Sequence, residues 1–98
     1  MSDFLQTLID IIAERKANPE PDSYTTSLLS DPVRAAQKVG EEATEVVVAA
    51  LAQPDDRVLN EMADLVYHSL VLLSSRSLEW NQVLDTLEHR HRKDLPED

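Results

Sequence analysis

The sequence predicts an all-α fold, and three observations carry that prediction. A single glycine stands among 98 residues, too few for the tight turns that a strand-rich chain of this size needs. Alanine, leucine, glutamate and valine are abundant, which is the composition of long helices. Apolar residues recur with helical period, and Pro19, Pro21, Pro32 and Pro54 fall between the periodic segments. At this length the chain is expected to form one domain, residues 1–98, whose modest core would gain from association.

A first helix is expected from Ser2 or Asp3, either of which can cap it, to about Ala17, with Phe4, Leu5, Leu8, Ile9, Ile11 and Ile12 as its apolar set. Asn18, Pro19 and Pro21 stop it. Residues 19–30 form a connector in which Ser23, Tyr24, Thr25, Thr26 and Ser27 line up hydroxyls that serve either as turn caps or as donors to phosphate or sugar oxygens. Ser30 or Asp31 before Pro32 then starts a long helix, because a proline in the first turn lacks only an N–H that would be unpaired anyway. This helix runs to about Ala52. Val33, Ala36, Val39, Ala43, Val46, Val47 and Ala50 share one stripe, with Glu42 and Glu45 at its margin and small Ala35 and Ala49 on the carboxylate side, leaving room for a ligand.

Gln53, Pro54, Asp55 and Asp56 break the chain so briefly that the next helix, about Asp56 to Ser75, must return antiparallel. Leu59, Met62, Ala63, Val66, Leu70 and Leu73 form its stripe, while Leu65, Val71 and Leu72 lie on other faces. A helix apolar nearly all round in its second half wants cover on two sides, so a homodimer or larger helical assembly is expected. Ser77 is expected to cap a last helix carrying Trp80, Val83, Leu84 and Leu87, which ends in the basic stretch His89 to Lys93 before a frayed tail from Asp94 to Asp98.

Function is narrowed first by charge. A net charge of −10 argues against nucleic acid and against an anionic membrane surface as partners, since both are held by clustered Lys and Arg. Without cysteine there are neither disulfides nor thiolate metal sites, which is compatible with a reducing cytoplasm. The N-terminus lacks a secretory pattern, because Asp3, Asp10 and Glu14 interrupt its apolar residues, and a soluble cytoplasmic protein is expected.

Two acidic pairs stand out: Glu42 with Glu45, and Glu61 with Asp64, each three residues apart and therefore neighbours on one helix face. Glu42 and Glu45 lie 12 and 9 residues before Pro54, Glu61 and Asp64 lie 7 and 10 after it. At about 1.5 Å of rise per residue the two pairs differ in height by only roughly 3 Å. Four carboxylates facing one another would repel strongly unless a cation sits among them. With oxygen ligands and only His68 nearby, that cation is expected to be Mg²⁺ or Mn²⁺, and the matching chemistry is hydrolysis of a phosphate ester or anhydride with water as nucleophile. The alternative is a solvated acidic helix face. Lys38, one turn before Glu42, would bind a phosphate or form an ion pair. His68 would contact substrate or be bonded within the bundle, and Arg90, Arg92 and Lys93 would hold phosphates or serve the helix macrodipole.

The run Lys38, Val39, Gly40, Glu41, Glu42, Ala43, then Glu45, Glu61, Asp64, Leu65, Tyr67 and His68, resembles the phosphoribosyl-ATP pyrophosphatase family, and its acidic signature is similar to that of the wider MazG-type pyrophosphohydrolases. Ser23, Tyr24, Thr25, Leu28 and Leu29 also match the family's connector; a glycine frequent near Ser30 and Asp31 is replaced by the capped proline start. The resemblance implies a MazG-like bundle of four to five helices, dimeric, that uses Mg²⁺ to hydrolyse phosphoribosyl-ATP to phosphoribosyl-AMP and pyrophosphate in the second step of histidine biosynthesis. By the same resemblance Glu42, Glu45, Glu61 and Asp64 would be metal ligands and Glu41 a further ligand or the base. Lys38 would act in catalysis and substrate binding, with Tyr24, Thr25, His68 and Arg90 as further substrate contacts. No Cys and His set for a fused cyclohydrolase is present, so a single activity is expected. A MazG-like enzyme acting on other nucleoside triphosphates and a non-catalytic helical dimerisation module are the competing readings.

Overall fold

Five α-helices and one short 3-10 turn make up the computed structural model, which describes residues 3–94 and Pro96. They are α1 (Phe4–Ala17), α2 (Tyr24–Leu29), α3 (Pro32–Ala52), α4 (Asp55–Ser75) and α5 (Trp80–His91), followed by the turn Arg92–Asp94. No strand occurs among the described residues, and none of their helices is long and apolar enough to cross a membrane. Ser2 as a cap, and the tail at Leu95, Glu97 and Asp98, lie outside the described residues.

The helix boundaries follow local chemistry. Asp31 caps α3 by accepting from the Arg34 amide at 3.2 Å, and Pro32 takes the first turn, where its missing N–H costs nothing. Gln53 and Pro54 alone separate α3 from α4, and the two lie as an antiparallel hairpin, the largest helix pairing in the chain. Asp55 and Asp56 in the first turn of α4 suit the positive end of its dipole.

The connector holds more structure than expected. Ser23 accepts from the Thr26 amide at 3.1 Å and caps the six-residue α2. Most of the hydroxyl run is used locally: Ser27 donates to the Tyr24 carbonyl and Ser30 to the Ser27 carbonyl, while Thr26 accepts from the Glu20 amide. The start of α5 also differs from expectation. Ser77 adopts φ 58° and closes α4 rather than opening α5, with the Leu78 amide bonded to the Leu73 carbonyl at 2.8 Å and the Ser77 amide to the Ser74 carbonyl at 3.0 Å. The cap of α5 is Glu79, which forms a reciprocal capping box with Gln82.

Ile12, Leu28, Ala35, Leu70 and Val71 form the buried core where α1, α2 and α3 meet α4, and Leu8, Ile9, Val66, Tyr67 and Trp80 pack around it. Tyr67 is thus part of the packing. Lys16 ties the far ends of α1 and α4 together, donating to the Ser74 carbonyl at 2.6 Å and the Ser77 hydroxyl at 2.9 Å. By contrast α5 scarcely touches the rest of the chain beyond Trp80, and it leaves Leu84 and Leu87 exposed.

The expected stripe on α3 faces inward only in part: Val39, Ala43 and Val46 are half-buried. Ala35 and Ala49 are buried, whereas Val33, Ala36, Val47 and Ala50 are exposed. Ala35 packs in the core with Ile12, Leu28, Leu70 and Val71, and Ala49 is fully buried, so both small side chains are covered by the chain itself rather than open to a ligand. The first half of the α4 stripe, Leu59, Met62 and Ala63, is exposed too. A Cβ built on Gly40 meets nothing within 4 Å among the described residues, so no neighbour in this chain requires a glycine there. Glycine inside a helix costs about 1 kcal/mol against alanine. Gly40→Ala should therefore stabilise the fold by about that amount in urea denaturation; destabilisation would reveal a neighbour contributed by the assembled protein.

Candidate metal centre

The approach of α3 and α4 gathers three of the four expected carboxylates. One oxygen each of Glu42, Glu61 and Asp64 lies within 4.8 Å of the others. Glu61 is buried at 8% exposure, Glu42 is half-buried and Asp64 is exposed, so the cluster opens to solvent on the Asp64 side. Glu45, one turn beyond Glu42, is exposed and is not in this group. The donor set is oxygen only, the chemistry of a hard divalent cation.

Cations of the chain itself flank the cluster. Lys38 reaches Glu42 and Glu41 at 3.3 Å each. These carboxylates, Glu42 foremost, raise the Lys38 ammonium above its usual value, so it stays charged throughout the neutral range. Arg57 donates to Glu61 at 2.8 Å and offsets the burial of that carboxylate. Sequence reasoning missed Arg57, although its spacing four residues before Glu61 is the signal for such a pair. Glu41 points outward with a largely exposed side chain, as its angle from Glu42 on the helix implies.

Behind the carboxylates, α2 is fastened to α4. His68, at 6% exposure, bonds through Nδ1 to the Asp64 carbonyl at 2.7 Å and through Nε2 to the Tyr24 hydroxyl at 3.0 Å. A carbonyl only accepts, so Nδ1–H donates to it, and in the neutral ring the Tyr24 hydroxyl donates to Nε2. Thr25 bonds to the Tyr67 hydroxyl beside it. The hydroxyls of Tyr24 and Thr25 are thus engaged with α4, and the His68 ring is committed on both nitrogens. What faces outward is the Tyr24 ring, which has the Arg34 guanidinium 5.7 Å from its centroid.

Arg90 is not brought to the cluster within this chain. It lies exposed on α5, and among the described residues no hydrogen bond or ion pair joins it to α3 or α4. Its neighbour Arg92 is spent on Glu88 at 3.1 Å. A cavity of about 500 Å³, bounded by Ile9, Lys16, Leu70, Ser74 and Trp80, sits toward the other end of α4 and contains none of the clustered carboxylates. The candidate metal centre is therefore the open acidic face between the two long helices.

Comparison with known proteins finds matches along most of the chain. The family model described as phosphoribosyl-ATP pyrophosphohydrolase matches residues 5–91. A protein of Ignicoccus hospitalis named phosphoribosyl-ATP pyrophosphatase is 42% identical over 93 residues, covering 94% of this chain and 91% of its own. One of the same name from Caulobacter vibrioides is 44% identical over 90 residues, 92% of this chain and 84% of the relative. The histidine biosynthesis bifunctional protein HisIE of Xylella fastidiosa is 48% identical over 90 residues, 91% of this chain but 44% of that protein. The chain therefore spans less than half the length of the bifunctional relatives it matches.

Proposed function

This chain belongs to the phosphoribosyl-ATP pyrophosphohydrolase family, and from that membership we propose that it hydrolyses phosphoribosyl-ATP to phosphoribosyl-AMP and pyrophosphate, in the cytoplasm, as a step of histidine biosynthesis. The observation that carries the proposal is the convergence of Glu42, Glu61 and Asp64 on one point between α3 and α4, in a chain whose matched segment contains all three.

Glu42, Glu61 and Asp64, with Glu45 from the adjoining turn, would hold Mg²⁺, for which Mn²⁺ would substitute. A divalent cation bound there supplies polarisation of the phosphoryl oxygens and makes water an effective nucleophile at neutral pH. The chain's own groups do the rest. Arg57 compensates the charge of the buried Glu61 carboxylate. Lys38, charged and placed between Glu41 and Glu42, offsets the negative charge that accumulates on the attacked phosphoryl group. Glu41, exposed at the edge of the cluster, accepts the proton of the attacking water. His68, Tyr24 and Thr25 keep α2 on α4, so that the Asp64 backbone is held in place while its side chain stays open to substrate. Buried small residues and short bonds make this a site built on rigid helices.

The exposed apolar faces support a homodimer. Val33 at 68% exposure, Val47 at 55%, Leu51 at 82% and Leu59 at 71% lie on the two helices that carry the carboxylates, and large apolar side chains left in water on one pair of helices suit an interface. A second copy is the partner that the family reading supplies.

The experiment is product analysis. Purified protein incubated with phosphoribosyl-ATP and Mg²⁺ is expected to release pyrophosphate and phosphoribosyl-AMP, faster than it releases pyrophosphate from ATP. Faster turnover of ATP would move the assignment to a general nucleoside triphosphate pyrophosphohydrolase.

A further inference from the structure

We propose that Arg34 is a substrate-binding residue, holding the phosphate of the phosphoribosyl group, the one phosphate distant from the bond that is cleaved. The inference rests on the function proposed above. Arg34 begins a row on α3 in which Arg34, Lys38 and Glu42 follow one another at intervals of four, along one side of the helix. The row runs from a free cation, through a cation already shared by two carboxylates, to the carboxylate cluster itself.

Three features single Arg34 out. Among the described residues its guanidinium makes no hydrogen bond or ion pair, a condition it shares with Arg76 and Arg90 but not with Arg15, Arg57 and Arg92, and of these unpaired arginines it alone lies on a helix that carries the carboxylates. It is nevertheless placed, because it lies 5.7 Å from the centroid of the Tyr24 ring. That ring is itself fixed through its hydroxyl to His68, and His68 to the backbone of Asp64. An unbroken chain of contacts therefore sets a planar, five-donor fork at a defined position relative to the cluster, with its donors unused. Such a fork suits a phosphate dianion, and stacking against an aromatic face lowers the entropy lost when it binds.

Distance decides which phosphate. Arg34 and Glu42 are two turns apart, about 12 Å along the helix. The departing pyrophosphate is joined directly to the attacked phosphorus and stays beside the carboxylates and Lys38. The phosphoribosyl phosphate is separated from that phosphorus by two riboses and a purine, a span that reaches two turns along α3. It is also the group that distinguishes this substrate from ATP, so Arg34 would contribute to specificity.

Steady-state kinetics on the intact protein tests the assignment, with Arg34→Gln and Arg34→Lys beside wild type and pyrophosphate and phosphoribosyl-AMP as inhibitors. Arg34→Gln should raise KM for phosphoribosyl-ATP about tenfold or more while kcat stays within about twofold, as expected for loss of a charge-assisted bond equal in ground and transition states. Inhibition by phosphoribosyl-AMP should weaken in parallel, and inhibition by pyrophosphate should not change. Arg34→Lys should recover only part of the loss, since it keeps the charge without the planar fork. A role confined to steadying Tyr24 would lower thermal stability without separating the two inhibitors, and that result overturns the inference. So does an unchanged KM, or an equal weakening of pyrophosphate. A wild type that releases no pyrophosphate would instead remove the function on which the inference stands.

Discussion

Asp64→Asn is expected to lower kcat/KM for pyrophosphate release by about a thousandfold, because a metal's contribution of several kcal/mol is lost with its ligand and each 1.36 kcal/mol is about tenfold in rate. Glu61→Gln should act similarly. Stability should move the other way when no metal is supplied. Three carboxylates with oxygens within 4.8 Å repel one another, and removing the Asp64 charge relieves that repulsion without breaking any ion pair identified in the chain. Asp64→Asn should therefore melt at the same temperature as wild type or slightly higher in chelator. Glu61→Gln should gain less, since it also releases Arg57 from its 2.8 Å pairing. Addition of Mg²⁺ should raise the melting temperature of wild type and leave Asp64→Asn nearly unmoved, because a ligand stabilises only the folded state that binds it. Measured together, thermal unfolding with and without Mg²⁺ and the rate of pyrophosphate release separate loss of the metal from loss of the fold. A merely solvated acidic face would give equal rates and no response to Mg²⁺.

The second large effect concerns assembly. Val47→Glu combined with Leu51→Glu should convert the proposed homodimer to a monomer at micromolar concentration. Both residues lie on α3 and are 55% and 82% exposed in the single chain, so neither substitution disturbs the packing of the monomer. Full burial of a valine or leucine is worth about 1.5–3 kcal/mol, and each variant side chain is lost on both copies while charge is placed in an apolar interface. Dissociation should strengthen by at least about a hundredfold even after the costs of association are allowed for. Sedimentation equilibrium reads the change directly. A wild type that sediments as a monomer, or a variant that remains a dimer, would remove this face from the interface.

How much of this was legible in the sequence depends on the kind of signal. The ends of α1, α3 and α4 could be read within a residue or so, because Pro19, Asp31, Pro32 and Pro54 act locally. The meeting of Glu42 with Glu61 and Asp64 was also legible, since a short break around Pro54 fixes the hairpin and the rise per residue fixes the heights. Other features depend on tertiary choices. A six-residue helix such as α2 is shorter than two turns and leaves no periodicity to detect. Ser77 reads as a cap, and only the path of the chain shows it in the left-handed conformation that ends α4. The most buried positions of α3 are not legible from hydrophobicity, which favours valine, whereas the fully covered positions are Ala35 and Ala49. Val39 and Val46 are half-buried, and Val33 and Val47 are left for another surface. Arg90 and Arg34 illustrate the same point from opposite sides: a basic cluster on α5 drew notice by composition, while a lone arginine gained meaning only from the ring beneath it.

The central claim is that Glu42, Glu61 and Asp64 hold a divalent cation for hydrolysis of phosphoribosyl-ATP. Its most direct test is pyrophosphate release from that substrate by the wild-type protein as Mg²⁺ is titrated from chelated to millimolar. Release that is absent in chelator, rises with Mg²⁺ to saturation and is lost in Asp64→Asn is the predicted result. Pyrophosphate release that is independent of Mg²⁺, or absent at every concentration, would contradict it.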